Sequence, residues 1–257
     1  MSKPATLYVQ SGKPIERELA NALLPKCKIE MQPCEPTGIS VWYGVTQGFL
    51  PLWQKVLREK NSYVYIDNGY FQSKWHGGSY YKVTRDAMQH LGYGAYPSKR
   101  WDALDIPIKP WRRTGEHVLL ACQTDFWYRR HGTTFADWVR TTTEELRKYT
   151  RRPIVVRHKP VKGVREPPIS EAFENCWAVV THTSNVAVDA VVAGVPVIAL
   201  AECAASCMGR PDAMFIESLL YPDDELRYTW ACNLAANQWT VDEVRAGAAD
   251  HLFKERQ

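Results

Sequence analysis

The sequence predicts an α/β protein built on parallel sheets, and three features of the 257-residue chain lead to that prediction. Short apolar runs alternate with segments that carry apolar residues at helical spacing, which is typical of βα units. The clearest unit spans residues 177–200, where two apolar strands flank a small-residue helix. Polar side chains follow each predicted strand of the second half, as expected at the ligand-binding edge of a parallel sheet.

The first half contains four predicted strands and two predicted helices before a long irregular segment. The strands are predicted at 6–10, 27–35, 39–43 and 63–66, and the helices at 16–24 and 50–59. Residues 72–113 are rich in Gly, Pro, Trp and Tyr, with one further strand predicted at 80–85 and a short helix at 86–91. A long irregular segment inside a compact protein is usually functional or a linker. We therefore predict a reduced N-terminal α/β domain over residues 1–112.

The second half has a more regular alternation of strands and helices. Strands are predicted at 116–122, 153–157, 177–181 and 197–200, and helices at 134–149, 169–174, 186–193, 226–234 and 241–253. Residues 183–185 are of the types that cap a helix, and Gly194 suits the position just past its end. Thr240 and Glu243 form a capping box. This pattern predicts a C-terminal Rossmann-like domain over residues 113–257.

Composition and charge exclude several classes of protein. No apolar run approaches the roughly 20 residues that a membrane helix needs, and the first residues lack the apolar core of a signal peptide. The seven cysteines form no C-x-x-C pair, which favours reduced, buried thiols. The net charge of +4 is only weak evidence for a polyanionic partner. We expect a cytoplasmic protein without a membrane span.

Polar residues that follow the strands of the second half make up the predicted ligand site. Because the carboxyl ends of parallel strands share one edge, these residues should converge on one crevice. Cationic side chains, amides and hydroxyls there would suit a diphosphate. The predicted site consists of Gln123, Arg157, His158, Lys159, His182, Thr183, Ser184, Asn185 and Glu202. Two alternatives stay open: a structural role for the two histidines, and a capping role alone for Ser184 and Asn185.

The order of these parts resembles the nucleotide-sugar-binding half of GT-B glycosyltransferases. The resemblance lies in the basic-Pro strand end at 157–160, the Thr/Ser-rich turn at 181–185 and the small-residue helix with Gly-x-Pro-Val at 189–197. The chain also resembles short bacteriophage proteins through Tyr-Ile-Asp-Asn-Gly-Tyr-Phe at 65–71 and Tyr-Tyr-x-Val-Thr-Arg at 80–85. The resemblance implies a GT-B-like fold, with two Rossmann-like parallel-sheet domains and the ligand crevice between them.

The same resemblance implies the transfer of a sugar from a nucleotide-diphosphate sugar, with a UDP-sugar favoured, to an acceptor hydroxyl. It implies no required cofactor and no metal, in keeping with the lack of an Asp-x-Asp pair. The catalytic base would then be a carboxylate or histidine of the first domain, and Asp67 and His76 are the candidates. Residues 67–69 are equally compatible with a simple turn.

The predicted acceptor is a 5-hydroxymethylpyrimidine in double-stranded phage DNA. Basic and aromatic residues are interleaved in the sequence, and such pairs can track phosphates and stack on a flipped base. The candidate acceptor residues are Trp75, Tyr80, Tyr81, Arg85, Trp111 and Trp127. Two alternatives stay open at this point: a transferase that builds an envelope or capsule polysaccharide, and a non-catalytic module that binds nucleotide or nucleic acid.

The motifs of other nucleotide-dependent and hydrolytic enzymes are missing. The sequence has no Gly-x-Gly-x-x-Gly and no Gly-x-x-x-x-Gly-Lys, which disfavours dinucleotide redox and ATPase functions. Ser184 does not lie in a Gly-x-Ser-x-Gly elbow, which disfavours a serine hydrolase.

Overall fold

The computed structural model describes residues 5–24, 26–36, 38–73, 77–159 and 167–254. The strands are β1 (Ala5–Tyr8), β2 (Cys27–Glu30), β3 (Ser40–Tyr43), β4 (Tyr63–Asn68), β5 (Tyr81–Arg85), β6 (His117–Ala121), β7 (Ile154–Arg157), β8 (Cys176–Thr181), β9 (Val197–Ala199) and β10 (Gln238–Trp239). The helices are α1 (Pro14–Leu23), α2 (Leu50–Arg58), α3 (Lys99–Leu104), α4 (Asp125–Arg129), α5 (Phe135–Arg147), α6 (Ile169–Ala172), α7 (Val186–Val192), α8 (Asp224–Ala236) and α9 (Val241–Arg245).

The chain folds as two compact units, each built on its own sheet. Unit 1 consists of residues 1–90 and 234–257, and unit 2 consists of residues 91–233. The predicted fold class, α/β with two Rossmann-like sheets, is confirmed. No helix within the described residues is both long and apolar enough to span a membrane.

The sheet of unit 1 has six strands in the order β10-β5-β4-β3-β1-β2. The four strands β2, β1, β3 and β4 are parallel to one another. The other two differ from the predicted parallel arrangement, because β5 is antiparallel to β4 and β10 is antiparallel to β5.

The two faces of this sheet are packed differently. One face is aliphatic and includes Leu7 and Ile66, covered by Leu19 of α1 and Val244 of α9. The other face is aromatic, with Trp42 of β3 against Trp53 of α2 at a ring separation of 5.2 Å. Helix α2 repeats Leu52, Trp53 and Val56 at helical spacing, which places an apolar stripe on the sheet.

The sheet of unit 2 has four strands, all parallel, in the order β7-β6-β8-β9. The middle of each central strand, residues 118–120 of β6 and 178–180 of β8, is apolar and fully buried, as expected for parallel strands covered on both faces. Trp138 and Leu146 of α5 pack onto one face of the sheet, where they contact the core that contains Leu120 and Val180.

The end of α7 is held by a buried arginine. Arg227 of α8 is fully buried and donates to the carbonyl of Val191 at 2.6 Å and to that of Lys109 at 2.8 Å. Its guanidinium lies 4.0 Å from the ring centroid of Trp111. Burial lowers the pKa of Arg227. These contacts, named here the Arg227 clamp, tie residues 109–111 to the end of α7.

Gly194 allows residues 109–112 to approach the end of α7 closely. Its φ of +74° lies in the left-handed region, and an added Cβ would lie 2.1 Å from the carbonyl oxygen of Pro110. The sequence predicts glycine here for the turn alone; the close approach of residues 109–112 is a second reason.

The division of the chain differs from the predicted boundary at residues 112 and 113. The last helix and strand belong to unit 1, because β10 pairs with β5 and Trp239 packs in the aliphatic core of unit 1. The structure also places α3 in the segment 72–113 that was predicted to be irregular, and α4 between the predicted strand at 116–122 and the predicted helix at 134–149. Residues 86–91, predicted as a helix, form bends.

Candidate functional site

Two residues that follow different strands meet at the carboxyl edge of the unit 2 sheet. Gln123 follows β6 and Thr183 follows β8, and the Gln123 Nε2 atom donates to Thr183 Oγ1 at 3.2 Å. Strands β6 and β8 are direct neighbours in register, which brings the ends of both strands to one place. The predicted convergence of polar residues is therefore observed for this pair.

The short helix α4 adds an aromatic wall beside them. Thr124 caps α4 by accepting from the amide of Trp127. Trp127 stacks on His131 with ring centroids 3.9 Å apart and contacts His182 edge-on at 4.6 Å. We call Gln123, Trp127, His131, His182 and Thr183 the strand-end cluster.

The two histidines of the strand-end cluster favour the neutral state. Burial, and then the nearby His131, lower the pKa of His182 to about 4. Burial also lowers the pKa of His131, whose Nδ1 atom donates to the carbonyl of Trp127 at 2.8 Å. The His182 Nδ1 atom is buried and has no hydrogen-bond partner in the described part of the chain. An anion bound beside His182 would reverse this shift by favouring the imidazolium.

The remaining predicted donor residues lie near the same edge but have separate contacts. The Arg157 guanidinium donates to the carbonyl of Pro167 at 2.5 Å, and the exposed His158 ring packs on Phe135 at 4.7 Å. Ser184 Oγ accepts from the amide of Val186, as expected for a residue at a helix start. The three other predicted donor residues also follow strands of this sheet: Lys159, Asn185 and the exposed Glu202.

His131 is the member of the strand-end cluster that the sequence analysis missed. It lies eight residues beyond Gln123, between the strand predicted at 116–122 and the helix predicted at 134–149. The signal was present in the capping residue Thr124, which starts α4 and thereby orients the aromatic residues that follow. Trp127, predicted as an acceptor residue, lies beside the predicted donor residue His182.

In unit 1, the predicted base Asp67 lies near the end of β4 and is partly exposed. Its Oδ1 atom accepts from the amide and the side chain of Asn68, at 2.8 and 3.2 Å. This is the local bonding of a turn, and it leaves the Oδ2 atom for another group. His76 and Trp75 lie outside the described residues.

Several predicted acceptor residues have structural contacts instead. Tyr81 is buried in the aliphatic core of unit 1, edge-on to Tyr43. Arg85 donates to the carbonyls of Leu252 and Lys254, and Trp111 donates to a carbonyl and lies under the Arg227 clamp. The acceptor site proposed below does not include these three. Tyr80 is partly exposed, and its carbonyl accepts from the amide of Gly69.

Several polar side chains that the sequence analysis did not predict surround the loop after β4. The Gln238 Oε1 atom accepts from the amide of Phe71 at 3.0 Å. Tyr70 accepts from the amide of His90 at 2.7 Å, and its ring lies 5.3 Å from the ammonium of the buried Lys82. Burial, and then the Lys82 charge, lower the pKa of His90 to about 4.

No group of three or more His, Cys, Asp or Glu side chains within the described residues is arranged to hold a metal ion. All seven cysteines are free thiols. Burial raises the pKa of Cys176 and Cys207 to about 11.

A solved structure shares the fold of this protein over nearly the whole chain. KpsC from Thermosulfurimonas dismutans, a beta Kdo 2,4 transferase, matches with a TM-score of 0.51 over 97% of this chain and 98% of that chain. The chain has the fold of a glycosyltransferase. The identity is 14%, so the likeness concerns the fold, and the predicted GT-B-like fold class is confirmed at that level.

A second structure from the same organism, a KpsC beta Kdo 2,7 transferase, has a TM-score of 0.47 and 12% identity over 96% of this chain and 99% of that chain. No family model and no curated protein matches the sequence.

Proposed function

We propose that this protein is a glycosyltransferase that moves a sugar from a nucleotide-activated donor to a hydroxyl group of a saccharide acceptor. The observation that carries the proposal is the strand-end cluster of unit 2, in which Gln123 and Thr183 meet beside the neutral His182. Ligands of open α/β sheets bind at this edge of the sheet. The fold shared with a beta Kdo 2,4 transferase supports the same reaction class.

The donor is expected to bind with its phosphates beside His182 and Thr183. The buried Nδ1 atom of His182 lacks a partner in the described chain, and a phosphate oxygen would accept from it once the ring is protonated. The Trp127 ring, stacked on His131, offers an aromatic surface for the nucleotide base. The favoured UDP-sugar remains a prediction, as does transfer without a metal ion.

The saccharide acceptor replaces phage DNA as the leading choice. The solved structure that shares this fold is a sugar transferase, a beta Kdo 2,4 transferase. Two of the six residues predicted to contact DNA, Tyr81 and Trp111, are used in packing within their own units. Transfer to a hydroxymethylpyrimidine in DNA is therefore the alternative outcome of the transfer experiment.

The donor site is tested by a thermal-shift screen with UDP, GDP, ADP, CMP and their common sugars. A ligand that binds only the folded state raises the melting temperature. We expect one nucleotide to raise it for the wild type, and Thr183→Val to reduce that rise because the hydroxyl partner of Gln123 is lost. The matched control is Thr141→Val on the exposed face of α5, where the hydroxyl bonds only along its own helix.

Transfer is then measured with the donor that binds, on saccharide acceptors and on hydroxymethylated DNA. Sugar transfer to a saccharide supports the proposal. Transfer to the DNA alone, with binding that weakens steeply as salt increases, would restore the DNA acceptor. Donor binding without any turnover would indicate a non-catalytic module, and the lack of a thermal shift with every nucleotide would overturn the donor site.

A further inference from the structure

Three polar residues from distant parts of the chain form one row across the unit 1 sheet. Lys82 of β5 is in register with Asp67 of β4 on one side and with Gln238 of β10 on the other. Residues directly opposite each other in antiparallel strands point to the same face of a sheet. Their neighbours Ile66, Tyr81 and Trp239 all pack in the aliphatic core, so the row points away from that core.

The Gln238 amide has a fixed orientation with its donor group left over. The Oε1 atom accepts from the amide of Phe71 at 3.0 Å, which prevents an exchange of its oxygen and nitrogen. The Nε2 atom is buried, and within the described residues no hydrogen-bond partner accepts from it. Gln238 itself is fully buried. Buried donors without a partner are rare in folded proteins and often have a functional reason.

Gly69 brings this amide to the end of β4. An added Cβ on Gly69 would lie 2.9 Å from Gln238 Oε1 and 2.8 Å from the carbonyl oxygen of Tyr80. The Gln238 amide therefore packs directly against the residue that follows Asp67 and Asn68. Neighbouring strands lie about 4.8 Å apart, which sets roughly 10 Å between the backbones of Asp67 and Gln238. Lys82 lies between them on the same face of the sheet.

We propose that this row binds the acceptor hydroxyl, with Asp67 as the base, and with Lys82 and Gln238 as the groups that stabilise the oxygen it activates. The inference rests on the proposed transferase function. Asp67 Oδ2 accepts the hydroxyl proton, because both described hydrogen bonds of that carboxylate go to Oδ1. Gln238 Nε2 donates to the hydroxyl oxygen, and the Lys82 ammonium favours the negative charge that develops there.

The step balances without any further reactant. The acceptor O–H bond breaks and its proton goes to Asp67, while the oxygen electron pair forms the new bond to the sugar carbon. The bond from that carbon to the donor phosphate breaks, and its electron pair leaves with the phosphate oxygen. The ligand class is therefore a neutral saccharide hydroxyl, since an anion would meet the Asp67 carboxylate in the same row.

Gln238→Glu is the sharpest test, because the carboxylate keeps an acceptor for the Phe71 amide but replaces the unpaired donor with oxygen. We expect transfer to fall about 100-fold, with the melting temperature and the nucleotide-induced thermal shift preserved. Gln54→Glu, at an exposed position of α2, makes the same change of charge and is the matched control. Unchanged transfer in a folded Gln238→Glu protein would overturn the inference.

Lys82 is tested by measuring kcat and KM for the acceptor separately. Lys82→Met should lower kcat more than it changes KM, because the ammonium acts on charge that develops on the oxygen in the transition state. Lys82→Arg keeps a cation at this position and should restore part of kcat. An equal loss of kcat in both variants would indicate a packing role and contradict the electrostatic one.

A measurement without turnover separates this inference from the proposed function. In protein labelled with ¹⁵N-glutamine, the Gln238 side-chain signal is identified by its loss in Gln238→Glu. Methyl glycosides are then titrated as probes of a hydroxyl site. We expect the signal to shift, and to stop shifting in Asp67→Asn. A shift without any sugar transfer would contradict the proposed function but support hydroxyl binding, whereas a signal that no methyl glycoside moves would overturn hydroxyl binding at this row.

Discussion

The two units build their polar sites in different ways. In unit 2 the members of the strand-end cluster follow β6 and β8 directly, so each is placed by the end of its own strand. In unit 1 the row of Asp67, Lys82 and Gln238 lies within the strands and depends on their register. The first kind of site can be recognised from local sequence, whereas the second exists only after distant segments have paired.

The largest expected effect comes from the Arg227 clamp of unit 2. Arg227→Met removes a buried cation that satisfies two carbonyl oxygens and covers Trp111. We expect the free energy of unfolding to fall by about 3–5 kcal/mol, because two charge-assisted hydrogen bonds and the packing on Trp111 are lost. Urea unfolding measures it, with Arg245→Met as the control, since Arg245 forms an exposed pair with Asp242. A loss below that of the control variant would contradict the role of the clamp.

Gly69→Ala acts on unit 1, where the row depends on close packing. The new methyl group would meet Gln238 Oε1 and the Tyr80 carbonyl oxygen at less than van der Waals distance. We expect a destabilisation of about 1–3 kcal/mol from overpacking, together with a loss of transfer. The control is Gly48→Ala, because nothing lies within 4 Å of the added Cβ there. Equal stability of the two variants would show that the loop after β4 adjusts freely.

Acid pH gives a further comparison of the units. Among the described residues, burial lowers the pKa of His90 in unit 1 and of His182 in unit 2 to about 4. A folded-state pKa below the ordinary value of 6.5 means that the unfolded chain binds the proton more readily. The stabilising contribution is therefore complete above about pH 6.5 and decreases as the pH falls toward 4. We expect His90→Gln and His182→Gln each to flatten the dependence of unfolding free energy on pH between 7 and 5.

A bound nucleotide should affect only one of these histidines. We expect the nucleoside diphosphate found in the screen to raise the pKa of His182, followed by NMR of the ring protons, and to leave that of His90 unchanged. A shift of both, or of His90 alone, would place the phosphates elsewhere.

The smallest effects concern two helix caps in unit 2. Thr124 accepts from the amide of Trp127 at the start of α4, and Thr134 accepts from that of Asp137 at the start of α5. Thr124→Ala and Thr134→Ala should each cost about 1 kcal/mol in thermal or urea unfolding. Only Thr124→Ala should also weaken nucleotide binding, because α4 carries Trp127 and α5 carries no member of the strand-end cluster. A similar loss of binding in both would mean that α4 does not position the site.

The contrast between local and distant contacts also explains which parts of the structure could be predicted from the sequence. The predicted strand, helix and strand at 177–200 are observed as β8, α7 and β9 within one or two residues, because the apolar runs, the cap and Gly194 are all local signals. The pairing of Gln123 with Thr183 followed from the rule that parallel strand ends share an edge.

The parts that sequence analysis missed depend on contacts between distant segments. Strand β10 has only two residues, Gln238 and Trp239, and no periodicity can reveal a strand of that length. Its pairing with β5 decides both the boundary between the units and the row that contains Lys82. Lys82 resembles any surface lysine in the sequence, and its burial follows from the packing around Tyr70.

The return of residues 234–254 to the first sheet has a consequence for biosynthesis. Unit 2 is continuous in sequence, so it can fold on the ribosome as soon as residue 233 has emerged, whereas the earlier sheet must wait for β10 and α9. Until then β5 has an unpaired edge, and exposed strand edges promote association between chains. A chain truncated after residue 237 should therefore be protease-resistant in its middle and sensitive near its beginning.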